Sequence, residues 1–293
     1  MRVTQSMLTT DFLRNISNSY ERLAKYQNQL STGKKITKPS DDPVVAMMGM
    51  KYRTDLTHIQ QFQRNITTAN KWMSTTEDSL SEATSVLQKI NELTVQASNG
   101  TYDSTQLNDI SQQIGQLNTQ MAAVANTQVA GNYIFNGTDT KTKPVDITGA
   151  TIQTSTNAKA IKVKVNDGVE VQVNTDPTTV FSNSLFQDLK DLKNSLQSGA
   201  SSSVIGSYIP KIKNHLDEML TARASLGARV NRVTMVKNRL DSQNTIATQI
   251  LSDNEDADVE KVIMNLKTQE SVQRAALSAG AQIMQPTLID FLK

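Results

Sequence analysis

The stretch LTHIQQFQRNITTANKWMSTTEDSLSEATSVLQKINELTVQA, residues 56–97, decides the architecture. Ile59, Ile66, Met73, Leu80 and Leu87 recur at seven-residue spacing, and Phe62, Ala69, Thr76, Ala83, Ile90 and Ala97 form the companion series. Two such series lay one apolar seam along a helix, sustained here for about six heptads. A second seam lies towards the other end. Ile212, Met219, Leu226, Val233, Leu240 and Ala247 form one of its series, and Ile209, Leu216, Val230 and Leu251 the other. Apolar stripes on long helices need cover, and the two ends of the chain can supply each other's. The chain reads as a helical rod.

Moving towards the N-terminus, a first helix is predicted over about Gln5–Ser31. Ile16, Leu23 and Leu30 keep the seven-residue spacing, with Phe12 and Tyr26 on the companion series. Gly33 stops it, as glycine just past a last apolar position commonly does. Pro39 and Pro43 bracket Ser40-Asp41-Asp42, a rigid turn that caps the next helix. No proline occurs between Pro43 and Pro144, which favours helix throughout. Asn99-Gly100 breaks it, and a shorter helix resumes with Leu107, Ile110, Ile114, Leu117, Met121 and Val124.

After Gly131 the texture changes. Residues 161–165 (IKVKV) and 169–173 (VEVQV) alternate strictly and are joined by Asn166-Asp167-Gly168. This predicts a β-hairpin with a three-residue loop and a bulge at the glycine. Residues 133–135, 145–147 and 151–154 are further strand candidates, and the block ends near Pro177. Helix returns with Leu185, Leu189, Leu192 and Leu196, then a Gly/Ser linker over 198–203, then the second seam. Ser252 and Glu255 match a capping box that starts a last helix carrying Val259, Val262, Leu266, Ala276, Leu277 and Ile283. Pro286 ends that helix before an apolar tail of Leu288, Ile289, Phe291 and Leu292.

The predicted fold is mainly α with a β-rich insertion: a long antiparallel helical bundle or coiled coil formed by the N- and C-terminal segments, with a small β domain in the middle. Five segments follow. Residues 1–43 form an N-terminal assembly helix and turn, and 44–132 the N-terminal part of the rod. Residues 133–182 form the β-rich outer domain, 183–252 the C-terminal part of the rod, and 253–293 a C-terminal assembly helix.

Composition agrees with narrow seams. Over 293 residues, aromatics make up only 4% and hydrophobic residues 37%, thin for a large globular core. Thirty basic residues face 28 acidic ones, and Lys34, Lys35 and Lys38, the one basic cluster, are followed at once by Asp41 and Asp42. With no basic stripe, nucleic-acid binding is not expected. The absence of cysteine removes disulfides and thiolate chemistry. The first thirty residues lack the apolar core of a cleavable secretory signal, and nothing approaches a membrane span, so no membrane insertion is expected.

No catalytic, cofactor or metal site can be assembled. His58 and His215 sit among ordinary helical polar residues and read as exposed. Asp253, Glu255, Asp256 and Asp258 lack the glycine and distant glutamate of a calcium loop and read as capping residues. Met47, Met48 and Met50 read as fillers of packing gaps beside a helix start. Trp72 either covers the edge of the bundle or meets another subunit. Arg223, Lys237 and Asn244 interrupt the second seam, either setting register against a partner or simply lying exposed.

Several segments together resemble the flagellin superfamily. At the N-terminus these are residues 30–36 (LSTGKKI) and 39–43 (PSDDP); at the end of the N-terminal helices, residues 131–138 (GNYIFNGT). Towards the C-terminus they are residues 226–232 (LGARVNR), 255–258 (EDAD) and 288–292 (LIDFL). Pro39 and Pro43 stand where flagellins proper usually carry small residues, which tilts the resemblance to the hook–filament junction branch. The motif turns are Gly33, Pro39, Asp41, Asp42, Pro43, Gly131, Tyr133, Phe135 and Gly137.

This resemblance implies a structural protein, not an enzyme, with no cofactor. The terminal helices would pack together and on neighbouring subunits in the wall of a hollow helical tube, while the β-rich middle faces outward. The implied assembly interface is Phe12, Ile16, Leu23, Tyr26, Leu30, Val259, Val262, Leu266, Leu277, Ile283, Leu288, Ile289, Phe291 and Leu292. Implied partners are a hook-side junction protein (hook-associated protein 1), flagellin, other copies in a ring or short helical zone, a cytoplasmic export chaperone and the flagellar type III export apparatus. The implied location is the extracellular flagellum, after a transient cytoplasmic stage. Two alternatives stand beside this: flagellin itself, and a cytosolic helical scaffold or signalling coiled coil.

Overall fold

The computed structural model describes residues 5–149 and 151–283 of the chain. The elements in order are α1 (Gln5–Thr32), α2 (Pro43–Ala97), α3 (Ser104–Ala125), β1 (Gln128–Val129), β2 (Asn132–Tyr133), β3 (Val145–Asp146), β4 (Gln153–Thr154), β5 (Lys162–Asn166) and β6 (Val169–Gln172). Then come α4 (Pro177–Val180), α5 (Asn183–Gln197), α6 (Ser202–Gly206), α7 (Tyr208–Glu255) and α8 (Val259–Ile283). The chain is mainly helical, with small antiparallel strand pairs between terminal helical regions. By their contacts the described residues form two units, one of residues 59–242 and one of residues 5–58 with 243–283.

In the first unit the heptads work as read. Ile66, Ala69, Met73, Thr76, Leu80, Ala83, Leu87 and Ile90 of α2 are at most 1% exposed, as are Ile212, Met219, Leu226, Val233 and Leu240 of α7. Burying each such leucine contributes roughly 1.5–3 kcal/mol. The two helices run antiparallel here: Arg223 pairs with Glu77 at 2.7 Å, and Gln63 Nε2 donates to Asp241 at 2.8 Å. Thr76 can occupy the seam because its hydroxyl donates to the Trp72 carbonyl at 2.8 Å, so no polar group is stranded.

Leu185, Leu189, Leu192 and Leu196 of α5 are buried, and α3 packs on α5. Gly100, with φ of +70°, follows the end of α2. The following start of α3 is a full capping box between Asp103 and Gln106.

Among the described residues, the strands form three two-stranded antiparallel pairs. β1 and β2 are joined by Ala130 and Gly131 at φ of 49° and 75°, the two left-handed residues of a tight hairpin. The β5–β6 hairpin corrects the expected loop. Asn166 pairs with Val169, so only Asp167 and Gly168 lie between the strands, and the irregularity falls between Lys164 and Asn166 rather than at the glycine. Placing it there leaves Val165 fully buried in the core. Phe135 and Phe181 meet edge to face at 4.8 Å between centroids.

Three further readings are corrected. Ser252 does not cap the last helix, because α7 continues through Glu255 and the α8 start is capped by Asp258, whose Oδ1 accepts from the Lys261 amide at 3.1 Å. His215 is not exposed: its Nε2 lies 3.0 Å from Asp188 Oδ2 on α5, and its Nδ1 3.3 Å from Glu218 Oε2. Met47, Met48 and Met50 fill no gap, being 62%, 45% and 60% exposed.

Arg223 and Lys237 are paired within the chain, to Glu77 and Asp241 respectively. Asn244 is half-buried with its Oδ1 unpartnered. Trp72 packs against the edge of the core with its indole N–H buried and unpaired.

Candidate assembly surface

The second unit holds nearly all the residues expected to mediate assembly. Its helices α1 and α8 pack antiparallel, since Gln269 Nε2 donates to the Ser19 hydroxyl at 2.7 Å while Phe12 lies against Gly280. A Cβ at Gly280 would sit 2.0 Å from Phe12 Cζ, so glycine is what lets the ring approach the helix backbone. Val262 and Leu266 are buried in this pair, while Phe12, Ile16, Leu23 and Tyr26 are half-buried.

Two helices cover only one stripe each, and these carry more than one. Leu30, Val259 and Leu277 remain exposed, together with Met7, Leu8, Leu13, Tyr20, Ile263, Met264 and Val272. These last seven escaped the heptad reading because they lie off its two series. The available signal was the width of the apolar arc, which exceeds what one partner helix can cover. A groove of about 330 Å³ runs between the helices, lined among others by Phe12, Ile16, Val272 and Ala276. Ile283 closes α8, and Leu288, Ile289, Phe291 and Leu292 lie outside the described residues.

The motif turns at the two ends of the chain meet in a clasp. Gly33, at φ of +67°, ends α1 with its amide on the Gln29 carbonyl at 2.9 Å. The chain then pairs with the α7–α8 turn. The Lys35 amide donates to the Glu255 carbonyl at 2.6 Å, and the Ala257 amide to the Gly33 carbonyl at 2.9 Å. Lys34 Nζ reaches Asp256 Oδ1 at 2.7 Å.

At the centre Glu255, 4% exposed, accepts from Arg53 Nη2 at 2.6 Å, with Lys34 Nζ at 3.5 Å. Gly49 of α2 lies directly against Glu255 Oε1, and Asn254 Nδ2 donates to the Val45 carbonyl at 3.0 Å. The hydrogen bond from Lys34 holds the Asp256 carboxyl below the usual carboxylate range, helped by Ser252; reciprocally, Asp256 raises Lys34.

The double-proline turn is built by its two aspartates. Asp41 Oδ2 accepts from the Thr37 and Lys38 amides at 3.0 and 2.9 Å, and those bonds keep its carboxyl ionised to lower pH than usual. Asp42 caps α2 through the Val44 and Val45 amides at 3.0 and 3.1 Å, with Pro43 at the first helical position. Pro39 lines a cleft beside Ile36, Met50 and Arg53. The long-range pairing of Lys34, Arg53 and Glu255 left no local pattern in the sequence.

The other motif turn belongs to the first unit and serves packing. Gly131 forms the tight hairpin, the Tyr133 amide donates to the Thr140 carbonyl at 2.9 Å, and Phe135 is fully buried. Gly137 has φ of +51°, and a Cβ there would meet the Asn157 carbonyl oxygen at 2.2 Å. Among the described residues no cluster of His, Cys, Asp or Glu is arranged to hold a metal. No described helix is long and apolar enough to cross a membrane.

Residues 3–140 match the bacterial flagellin N-terminal helical region, and residues 209–292 the bacterial flagellin C-terminal helical region. This chain belongs to the flagellin superfamily. Flagellar hook-associated protein 3 of Escherichia coli strain K12 is 27% identical over 317 aligned residues, covering 100% of both chains. Flagellin of Bacillus subtilis strain 168 is 25% identical, covering 97% of each. The crystal structure of Bacillus cereus FlgL superposes with a TM-score of 0.60 at 25% identity, covering 69% of this chain and 99% of that one. These superfamily relatives are structural proteins of the flagellum.

Proposed function

We propose that this chain is a structural component of the bacterial flagellum, positioned at the hook–filament junction, where its terminal helices polymerise with neighbouring subunits. One observation carries the reading: α1 and α8 pair with each other yet leave Leu13, Tyr20, Met264 and Leu277 uncovered, whereas the α2–α7 seam encloses its own apolar residues. An apolar surface of that extent on a hydrophilic chain is an interface awaiting its other half. Neighbouring copies, a hook-side junction protein (hook-associated protein 1) on one side and flagellin on the other would complete it.

Helices of this length gain most of their stability from packing, so docking and final ordering of the terminal unit become a single event. A cytoplasmic export chaperone would cover the same surface before passage through the type III apparatus, with the strand-bearing segment 133–182 facing outward once assembled. Full-length similarity to a hook-associated protein 3 and the Asp-stabilised double-proline turn favour the junction role.

A strain lacking this chain should complete its hooks and shed unpolymerised flagellin into the medium; normal filaments on such cells would reject the junction role. The second reading, flagellin itself, is favoured by the near full-length Bacillus subtilis match. Labelled antibody separates the two. Staining confined to a short zone between hook and filament supports the junction protein, and staining along the whole filament supports flagellin.

A further inference from the structure

The chain contains the dipeptide Asn-Gly twice, both times within the same tripeptide, Asn-Gly-Thr, at residues 99–101 and 136–138. The fold treats the two copies oppositely. Asn99 is exposed in the turn after α2, where the Ser98 amide donates to the Thr94 carbonyl at 3.0 Å and the Asn99 amide to the Gln96 carbonyl at 3.3 Å. Helical hydrogen bonding stops there. Among the described residues, neither the Gly100 amide nor the Asn99 carboxamide has a hydrogen-bond partner. The turn is also uncrowded: a Cβ at Gly100 would meet nothing nearer than the Ser202 hydroxyl at 3.6 Å.

The second copy is locked. Asn136 is 6% exposed. Its Nδ2 donates to the Thr142 carbonyl at 3.0 Å and to Thr142 Oγ1 at 2.8 Å, and its Oδ1 accepts from the Ser155 hydroxyl. Its own carbonyl accepts from the Asp139 amide at 3.0 Å and from Asn157 Nδ2 at 3.2 Å.

We propose that Asn99 is a self-modification site: the Gly100 nitrogen closes on the Asn99 side chain and converts it to isoaspartate and aspartate, whereas Asn136 is held out of the same reaction. The Gly100 nitrogen, its proton taken by hydroxide or a buffer base, attacks Asn99 Cγ. A C–N bond forms, the Cγ–Nδ2 bond breaks, and Nδ2 leaves as ammonia, giving a cyclic succinimide. Water then opens the ring. Attack at the former main-chain carbonyl breaks its bond to Gly100 and leaves isoaspartate, with an extra methylene in the backbone; attack at Cγ leaves aspartate. The net exchange is water for ammonia, with no change of oxidation state. Glycine favours closure because no side chain restricts the approach of its nitrogen. The product carboxylate lies at the C-terminal end of α2, where the helix dipole disfavours negative charge. At Asn136 the carboxamide must turn towards Gly137, which breaks its three side-chain hydrogen bonds in a buried site.

The test holds the purified full-length chain at mildly alkaline pH, folded and in guanidinium chloride, with circular dichroism recording the helix. Peptide mass spectrometry reads amide-to-acid conversion at both asparagines, and enzymatic carboxyl methylation reads isoaspartate. In denaturant the two tripeptides should convert at similar rates, since they are identical in sequence. In the folded chain Asn99 should convert, each event lowering the formal net charge of +2 by one on isoelectric focusing. Asn136 should lag by on the order of a hundredfold, the factor that three net hydrogen bonds represent. Asn99→Gln, whose longer side chain closes no five-membered ring, should abolish the early charge shift. Thr142→Val with Ser155→Ala should let Asn136 convert faster while Asn99 keeps its rate. An Asn99 that stays amidated in the folded chain, or an Asn136 that converts as fast, would overturn the proposal. Unchanged Asn136 in the folded double variant would overturn the lock, and the wild-type comparison decides the site whether or not that variant folds.

Discussion

Gly49→Ala should loosen the terminal clasp, yet tighten it once Glu255 is gone. An alanine Cβ at position 49 would lie 2.3 Å from Glu255 Oε1, 3.2 Å from its Cδ and 3.3 Å from Asn254 Nδ2. The carboxylate is not free to swing aside, because Arg53 holds its other oxygen at 2.6 Å. Displacing it forfeits a charge-assisted hydrogen bond, about 1.5–3 kcal/mol, and the lower part of that range applies because the Arg53 side chain is largely exposed. Alanine in a helix interior recovers about 1 kcal/mol relative to glycine. The net is a loss of roughly 0.5–1 kcal/mol in wild type. With Glu255→Ala the obstruction is absent, and Gly49→Ala should stabilise by about 1 kcal/mol.

A double-mutant cycle therefore changes sign, the mark of a direct contact. The assay is amide hydrogen exchange at Lys35 and Ala257, whose amides close the clasp at 2.6 and 2.9 Å. A change of 1 kcal/mol moves their exchange rates about fivefold. Equal stabilisation by Gly49→Ala in both backgrounds would refute the placement of Glu255 beneath that helix.

Leu266→Arg, at a buried position of α8, should cost about 3 kcal/mol in the terminal unit and block filament growth, with melting of the 59–242 unit unchanged. Leu277→Arg, at an exposed position, should leave the isolated chain's exchange pattern intact and still block growth; unimpaired growth would show that this face is not buried in the assembly. The clasp should also depend on pH at both limits. Asp256 is depressed by the Lys34 hydrogen bond, so its contribution is fully present above its unfolded pKa and is lost as pH falls through the lower folded value. Lys34 is raised, so its contribution is present below its unfolded pKa and is lost as pH rises through the higher folded value. Protection at Lys35 and Ala257, the exchange rate divided into the unstructured rate at the same pH, should therefore be greatest on a neutral plateau, and Asp256→Asn should remove the acid limb. Gly137→Ala combines a left-handed φ with a 2.2 Å approach to the Asn157 carbonyl, and should cost about 2–4 kcal/mol in the thermal melt.

What the sequence disclosed, and what it hid, follows from the range of the interactions. The seams through Met73, Leu80, Met219 and Leu226 were legible because a seven-residue apolar period on a helix admits one buried face. The stops at Gly33 and Gly100 were legible because left-handed backbone favours glycine. The end of α7 was not. Ser252 and Glu255 have the spacing of a capping box, but Glu255 is engaged by Arg53, 202 positions away, so its side chain cannot turn back to cap its own helix. His215 looked like a surface residue for the same reason: Asp188, its partner on α5, lies 27 positions upstream. The residues expected to mediate assembly divided likewise. Val262 and Leu266 were found by period and are buried. Met47, Met48 and Met50 were assigned to gaps because sequence distinguishes an apolar residue from a polar one, but not a covered one from an uncovered one.

That last ambiguity can be settled within the chain itself. Along α2 the face opposite the seam carries Gln60, Gln61, Arg64, Thr67, Thr68 and Lys71, all exposed and all polar, which is how this sequence treats a surface meant for water. The α1 and α8 faces are equally exposed but carry Leu8, Leu13, Tyr20, Ile263, Met264 and Val272. Helix propensity does not account for the difference, because lysine and glutamine form helices as well as methionine does and better than isoleucine or valine. The apolar side chains on those faces are the ones that the assembly proposed above would cover. The ten exposed apolar residues of α1 and α8 are already about half covered, so completing their burial at roughly half of 1.5–3 kcal/mol each represents on the order of 10 kcal/mol of gross docking energy, before the costs of association and ordering. A helix pair that enclosed those residues within one chain would be more stable alone, and would have nothing left with which to hold its neighbours.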